Sequence, residues 1–163
     1  MSVPEFLTWL EASPLGVLTR SLGVWSYGII NLVHILGVVM LFGAILLLDL
    51  RLLGAWRRIP LATLSGPTTM LARIGFLVAV CSGLPMLAVA ATEYADNPFL
   101  LIKFPAIALA LVNVWLVHRS QAWRAHPVRA LMPSEERRLK VGAALSLGFW
   151  LTAITAGRMI GYW

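Results

Sequence analysis

Residues Tyr27–Leu48 read YGIINLVHILGVVMLFGAILLL, and the fold of the chain turns on this stretch. It holds no Asp, Glu, Lys or Arg, and His34 stands alone as an imidazole inside it. At 1.5 Å rise per residue such a helix runs ~33 Å, enough to cross a bilayer core of ~30 Å. Three more runs qualify: Leu71–Ala91, Phe99–His118 and Val141–Ile160. Hydrocarbon offers backbone N–H and C=O groups no water, so all four runs are expected to be helices. No alternating ten-residue pattern suggests a barrel.

Composition points the same way. Of 163 residues, 60% are apolar and 12% are charged, and the mean hydropathy is +0.84. A soluble domain carries about 25% charged residues. So few polar side chains cannot cover a globule, and the length leaves no room for a separate catalytic domain. A cytosolic enzyme, a disordered tail and a disulfide scaffold are excluded. The expected fold is an all-α integral membrane domain, a four-transmembrane-helix up-down bundle. The one cysteine, Cys81, lies in an apolar run and cannot form an intramolecular disulfide.

The formal charge is +6, but the basic residues sit in short loops beside the spans. That is a membrane-orienting pattern, not a face for nucleic acid. Arg51, Arg57, Arg58, Arg73, Arg119, Arg124, Arg129, Arg137, Arg138 and Lys140 fall on one side, and Arg20, Lys103 and Arg158 on the other. The richer side is expected in the cytoplasm, with both termini outside. Trp9, Trp25, Tyr27, Tyr162 and Trp163 then lie near the outer interface, and Trp56, Trp115 and Trp123 near the inner one. The start, MSVPEFLTWLEASPLG, has no basic n-region and is not read as a signal peptide. A short interfacial helix is expected over about residues 4–12, with Phe6, Leu7, Trp9 and Leu10 toward lipid. Asn97-Pro98 should open the third span. Pro133-Ser134 should open a polar helix, Glu135–Lys140, that runs into the fourth. Pro85 and Pro105 should kink their spans or lie near an end.

An ionisable residue inside the membrane is costly, which makes it a functional candidate. Those residues are His34, Asp49, Arg73, Lys103, His118 and Arg158, with Asn31 and Asn113 as buried polar additions. Residue offsets place His34 ~5 Å to the outer side of the midplane and His118 ~14 Å to the inner side. Metal–nitrogen bonds are about 2 Å, so one ion cannot bind both. His34 shares a helix face with Asn31, Gly37 and Leu41. A glycine there would let a flat ring approach the backbone, or would serve helix packing. His34 is therefore read as a haem ligand or proton site, against a structural imidazole bonded to Asn31 or Asn113. Met86, ~7 Å outward, is a candidate second axial ligand. Lys103 and Arg158, ~8 and ~11 Å outward, could pair with haem propionates or snorkel to headgroups.

Asp49, Arg73 and His118 form a candidate polar site at the inner side, either an ion pair with an interfacial histidine or a proton or quinone site. Ser146, Thr152 and Thr155 are expected to return hydrogen bonds to their own helix. His126 is read as a solvated loop residue. No Walker loop, G-x-S-x-G, H-E-x-x-H or C-x-x-C occurs.

His34 is followed by Gly43 and by Leu50-Arg51-Leu52, and the third span runs from Lys103 to His118-Arg119. This pattern resembles the bacterial four-helix haem-binding protoporphyrinogen oxidase and the copper resistance protein D group. With H-x-x-G followed by D-L-R-L-L-G, it is also similar to small bacterial four-helix membrane proteins. The resemblance covers about half the chain. It implies a shared bundle in the bacterial cytoplasmic (inner) membrane and a b-type haem at His34, without extending to the oxidase reaction. Copper handling is not supported, because Met and His do not cluster as soft ligands. The leading expectation is a cytochrome b-like electron-transfer protein. It would work with a quinone or a redox partner protein, as a homo-oligomer or a subunit of a larger complex. A cofactor-free structural or accessory subunit and a small proton-coupled transporter are the alternatives.

Overall fold

The computed structural model describes residues 2–163, and all regular structure among them is helical. The order is α1 (Val3–Ala12), α2 (Pro14–Ser21), α3 (Gly23–Leu53), α4 (Leu61–Val89), a 3-10 turn (Ala91–Tyr94), α5 (Pro98–Arg119), α6 (Gln121–Ala125), α7 (Pro133–Met159) and a closing 3-10 turn (Ile160–Tyr162). Four helices, those built on α3, α4, α5 and α7, are long and apolar enough to cross a membrane. Their outward residues include Val24, Ile29, Leu32, Val39, Leu77 and Leu116, all exposed. Helices apolar on every side suit a lipid solvent.

Local chemistry sets the helix ends. Ser2 and Glu5 form a capping box at α1, and the Ser13 hydroxyl caps α2, a helix not anticipated from sequence. At the end of α3 the Ala55 N–H donates to the Leu50 carbonyl at 2.9 Å and the Gly54 N–H to that of Arg51 at 3.2 Å. This pairing requires a positive φ at the glycine, +118° at Gly54. α5 starts directly at Pro98, and Pro105 lies inside it. α7 runs without a break from Glu135–Lys140 into the apolar stretch.

The helices divide between two units. The first takes the chain through Leu41 and again Arg73–Pro98. Here α3 and α4 meet through glycine. A Cβ on Gly75 would lie 2.4 Å from the Leu41 nitrogen, and one on Gly37 would lie 2.8 Å from the Ala79 nitrogen. Leu7 and Leu10 bury themselves on Ala88 and Ala91. This corrects the expectation that both face lipid, since α1 buries them against the end of α4, while Phe6 and Trp9 stay exposed. Arg20 donates to the Ala88, Val89 and Glu11 carbonyls at 3.4, 2.8 and 2.8 Å. Two of these close α4, where carbonyls have no partner within the helix. Glu11 accepts from the Thr92 N–H at 2.8 Å and the Thr92 hydroxyl at 2.6 Å. The Thr92 hydroxyl first, and then its N–H, hold the Glu11 carboxyl below the ordinary glutamate range.

The second unit comprises Phe42–Ala72 and Phe99–Trp163. Polar side chains tie its helices. Asn113 of α5 donates to the Gly142 carbonyl of α7 at 2.9 Å. Ser146 of α7 faces the Asp49 carboxylate of α3. Thr152 bonds back to its own helix as expected, to Gly148 at 2.8 Å. Arg129 grips Glu135 through two bonds of 2.7 and 2.8 Å, and Glu135 accepts from the Met132 N–H at 2.9 Å, fixing the start of α7.

Candidate functional site

His34 projects from α3 toward α4 within the first unit. Its Nδ1 lies 2.9 Å from the Ala79 carbonyl and 3.2 Å from the Ser82 hydroxyl. A carbonyl only accepts, so Nδ1 carries the proton. The Ser82 hydroxyl spends its own hydrogen on the Val78 carbonyl at 2.6 Å, which leaves an oxygen lone pair for the same N–H. In the neutral ring the lone pair is then on Nε2, the nitrogen able to ligate a metal. The ring occupies space that a side chain on residue 83 would need, because a Cβ on Gly83 would lie 2.9 Å from Cε1. The glycine that admits the ring is thus Gly83 on the facing helix. Gly37, the candidate from the shared helix face, serves backbone packing instead. The bonds to Ala79 and Ser82 also replace the expected fastening to Asn31 or Asn113. Met86, half-buried, follows Ser82 by one turn on α4.

The remaining candidates lie elsewhere. Arg73 is exposed on α4. In the second unit, Lys103 is half-buried, and its stem covers the gap at Gly157, with Nζ 3.3 Å from where a Cβ would stand. Arg158 is exposed, stacks 4.4 Å over the Tyr162 ring and donates to its hydroxyl. Asp49 is 5% exposed. Its Oδ2 is buried without a hydrogen-bond partner. That Ser146 faces this carboxylate was not foreseen. Asp49 opens the run D-L-R-L-L-G, in which Arg51 donates to the Ile59 carbonyl at 2.8 Å and Gly54 ends the helix. That run therefore has a structural task at each of its marked positions.

His118 bonds through Nδ1 to the Val114 carbonyl of its own helix at 2.8 Å. Its ring lies 4.5 Å from Trp123, which lies 4.7 Å from His126. His126 is half-buried, its Nδ1 bonded to the Trp123 carbonyl and its Nε2 2.8 Å from the Ser65 hydroxyl. This His-Trp-His stack was not legible, since the sequence reading left His126 as a solvated loop residue. The short α6 that folds back after Ser120 creates it.

Among the described residues, no three His, Cys, Asp or Glu side chains gather where they could hold a metal ion. A metal at His34 would have to arrive inside a cofactor that brings its own equatorial ligands, as a porphyrin does. No curated protein and no solved structure matches the chain. The model of one family matches residues 6–163, and the chain accordingly belongs to that family, described as a family of unknown function (DUF6644).

Proposed function

We propose that the chain is a b-type haem-binding electron-transfer protein of the bacterial cytoplasmic membrane, with His34 as an axial ligand. Its four long helices would cross up and down, with both termini on the periplasmic side and α1 lying at the interface. The observation that carries the reading is the Nδ1 anchor of His34 to a backbone carbonyl of the facing helix. Such an anchor fixes the tautomer, orients the ring and strengthens Nε2 as a donor. Ala79 and Ser82 do the orienting, Gly83 admits the ring, and Gly37 with Gly75 holds the two backbones together. Met86 is the candidate second ligand on the same pair of helices. Bound haem would supply one-electron chemistry for exchange with a membrane quinol and a redox partner. Arg158 already engages Tyr162, so a propionate role is not carried forward for it.

The same two bonds also join α3 to α4, which favours a second reading in which His34 only fastens helices. An absorption spectrum of the protein purified in mild detergent, with and without dithionite, separates the two. The haem reading expects a Soret band with reduced α and β bands, retained in His118→Ala and lost in His34→Ala. No haem signal after expression with ample haem supply, or a signal that depends on His118 and not His34, overturns it.

A further inference from the structure

The start of α7 borders a shallow cavity of about 580 Å³ lined by Pro133, Ser134, Arg137, Arg138 and Val141. At ~100° per residue, Ser134, Arg138, Val141, Leu145, Gly148 and Thr152 fall in one stripe ~80° wide, with Arg137 beside it. Every one of these positions is exposed. The stripe changes character along its length, beginning with a hydroxyl and two guanidinium groups and continuing with aliphatic surface. Gly148 leaves a notch, since a Cβ there would meet nothing within 4 Å. Thr152 spends its hydroxyl on the Gly148 carbonyl at 2.8 Å. From Val141 to Thr152 the helix rises ~16 Å, about one leaflet of a ~30 Å core.

The acids nearby do not neutralise the cations. Glu135 is bonded to Arg129, with the Arg138 charge a lesser influence on its carboxyl. Glu136 lies ~160° round the helix from Ser134. We propose that this stripe binds an anionic phospholipid, with its phosphate between Arg137 and Arg138 and an acyl chain along Val141, Leu145 and the Gly148 notch. Arg137 and Arg138, in a segment where Arg129, Arg137, Arg138 and Lys140 outnumber Glu135 and Glu136, favour a lipid of net negative charge over a zwitterionic one. The aliphatic track favours a lipid over free phosphate.

The test titrates phosphatidylglycerol, phosphatidylcholine and inorganic phosphate against the full chain in detergent. Bound lipid is read by native mass spectrometry and the melting temperature is followed in parallel. The expected result is about tenfold tighter binding of phosphatidylglycerol than of phosphatidylcholine, lost in Arg137→Gln/Arg138→Gln. The preference should survive Arg57→Gln/Arg58→Gln, which removes equal charge from the α3–α4 loop. Gly148→Trp should weaken both lipids while keeping the preference, because it fills the acyl notch alone. If the double variant does not fold, Arg138→Gln alone should show a partial loss. Equal binding of the two lipids, equal loss in both double variants, or protection by phosphate matching that by phosphatidylglycerol would overturn the assignment.

Discussion

The two units hold their helices together by different means. In the first, α3 and α4 approach through Gly37 and Gly75, and His34 lies on Gly83. In the second, side chains do the joining: Asn113 to Gly142 and Ser65 to His126, with Ser146 facing Asp49. The histidines follow the same division. His34 is anchored by a residue 45 positions away, whereas His118 is anchored by its own helix four positions back. An imidazole oriented by a neighbouring helix is a pre-set donor. Between the long helices, close approach of two backbones through glycine and an imidazole oriented by the facing helix go together in the first unit.

The largest expected effect breaks the glycine seam. Gly75→Val puts branched atoms where a Cβ alone would lie 2.4 Å from backbone. It should cost about 3 kcal/mol, visible as a lowered melting temperature in detergent, while Gly148→Ala stays within about 0.5 kcal/mol. A mild effect at Gly75 would mean the seam is looser than described.

Ser82→Ala sharpens the contrast between the histidines. It removes one of two Nδ1 contacts, so under the proposed haem reading haem retention should fall about tenfold as measured by competition with apomyoglobin. Ser146→Ala, which deletes the counterpart hydroxyl in the second unit, should leave retention unchanged. A smaller loss follows in Asn113→Leu, which strips the Gly142 carbonyl of its donor. Polar contacts between membrane helices are worth about 1 kcal/mol, and thermal unfolding should report a loss of that order.

The smallest effect is a pH dependence where α1 meets the end of α4. The Glu11 carboxyl is held low by Thr92, so its contribution is present above the ordinary glutamate value. It disappears as pH falls through the lowered value. The melting temperature should therefore decline in acid, and Glu11→Gln should flatten the decline. An unchanged acid limb in that variant would show that Thr92 gains nothing from the charge.

Helical content and the four apolar spans were legible because hydropathy is local and a run of apolar residues displays its own length. The ends at Pro98 and Pro133 were legible for the same reason, since proline acts on its own turn. The partners of His34 were not. Choosing Gly83 over Gly37, or Ser82 over Asn113, needs the register between α3 and α4, which no single helix encodes. The facing of Ser146 and Asp49 was hidden for the same reason, since the register between α3 and α7 is written in neither helix. The burial of Leu7 and Leu10 was hidden because an amphipathic start looks the same whether its apolar side meets lipid or protein.

Arg20 and Glu11 are bonded to residues 68 to 81 positions further along the chain. A ribosome delivers those partners later, so α1 and α2 must wait, unseated, until Thr92 has emerged. The beginning of this protein is therefore among the last parts of its first unit to settle, and a bulky fusion placed ahead of Ser2 would hinder a late docking event, leaving early insertion untouched.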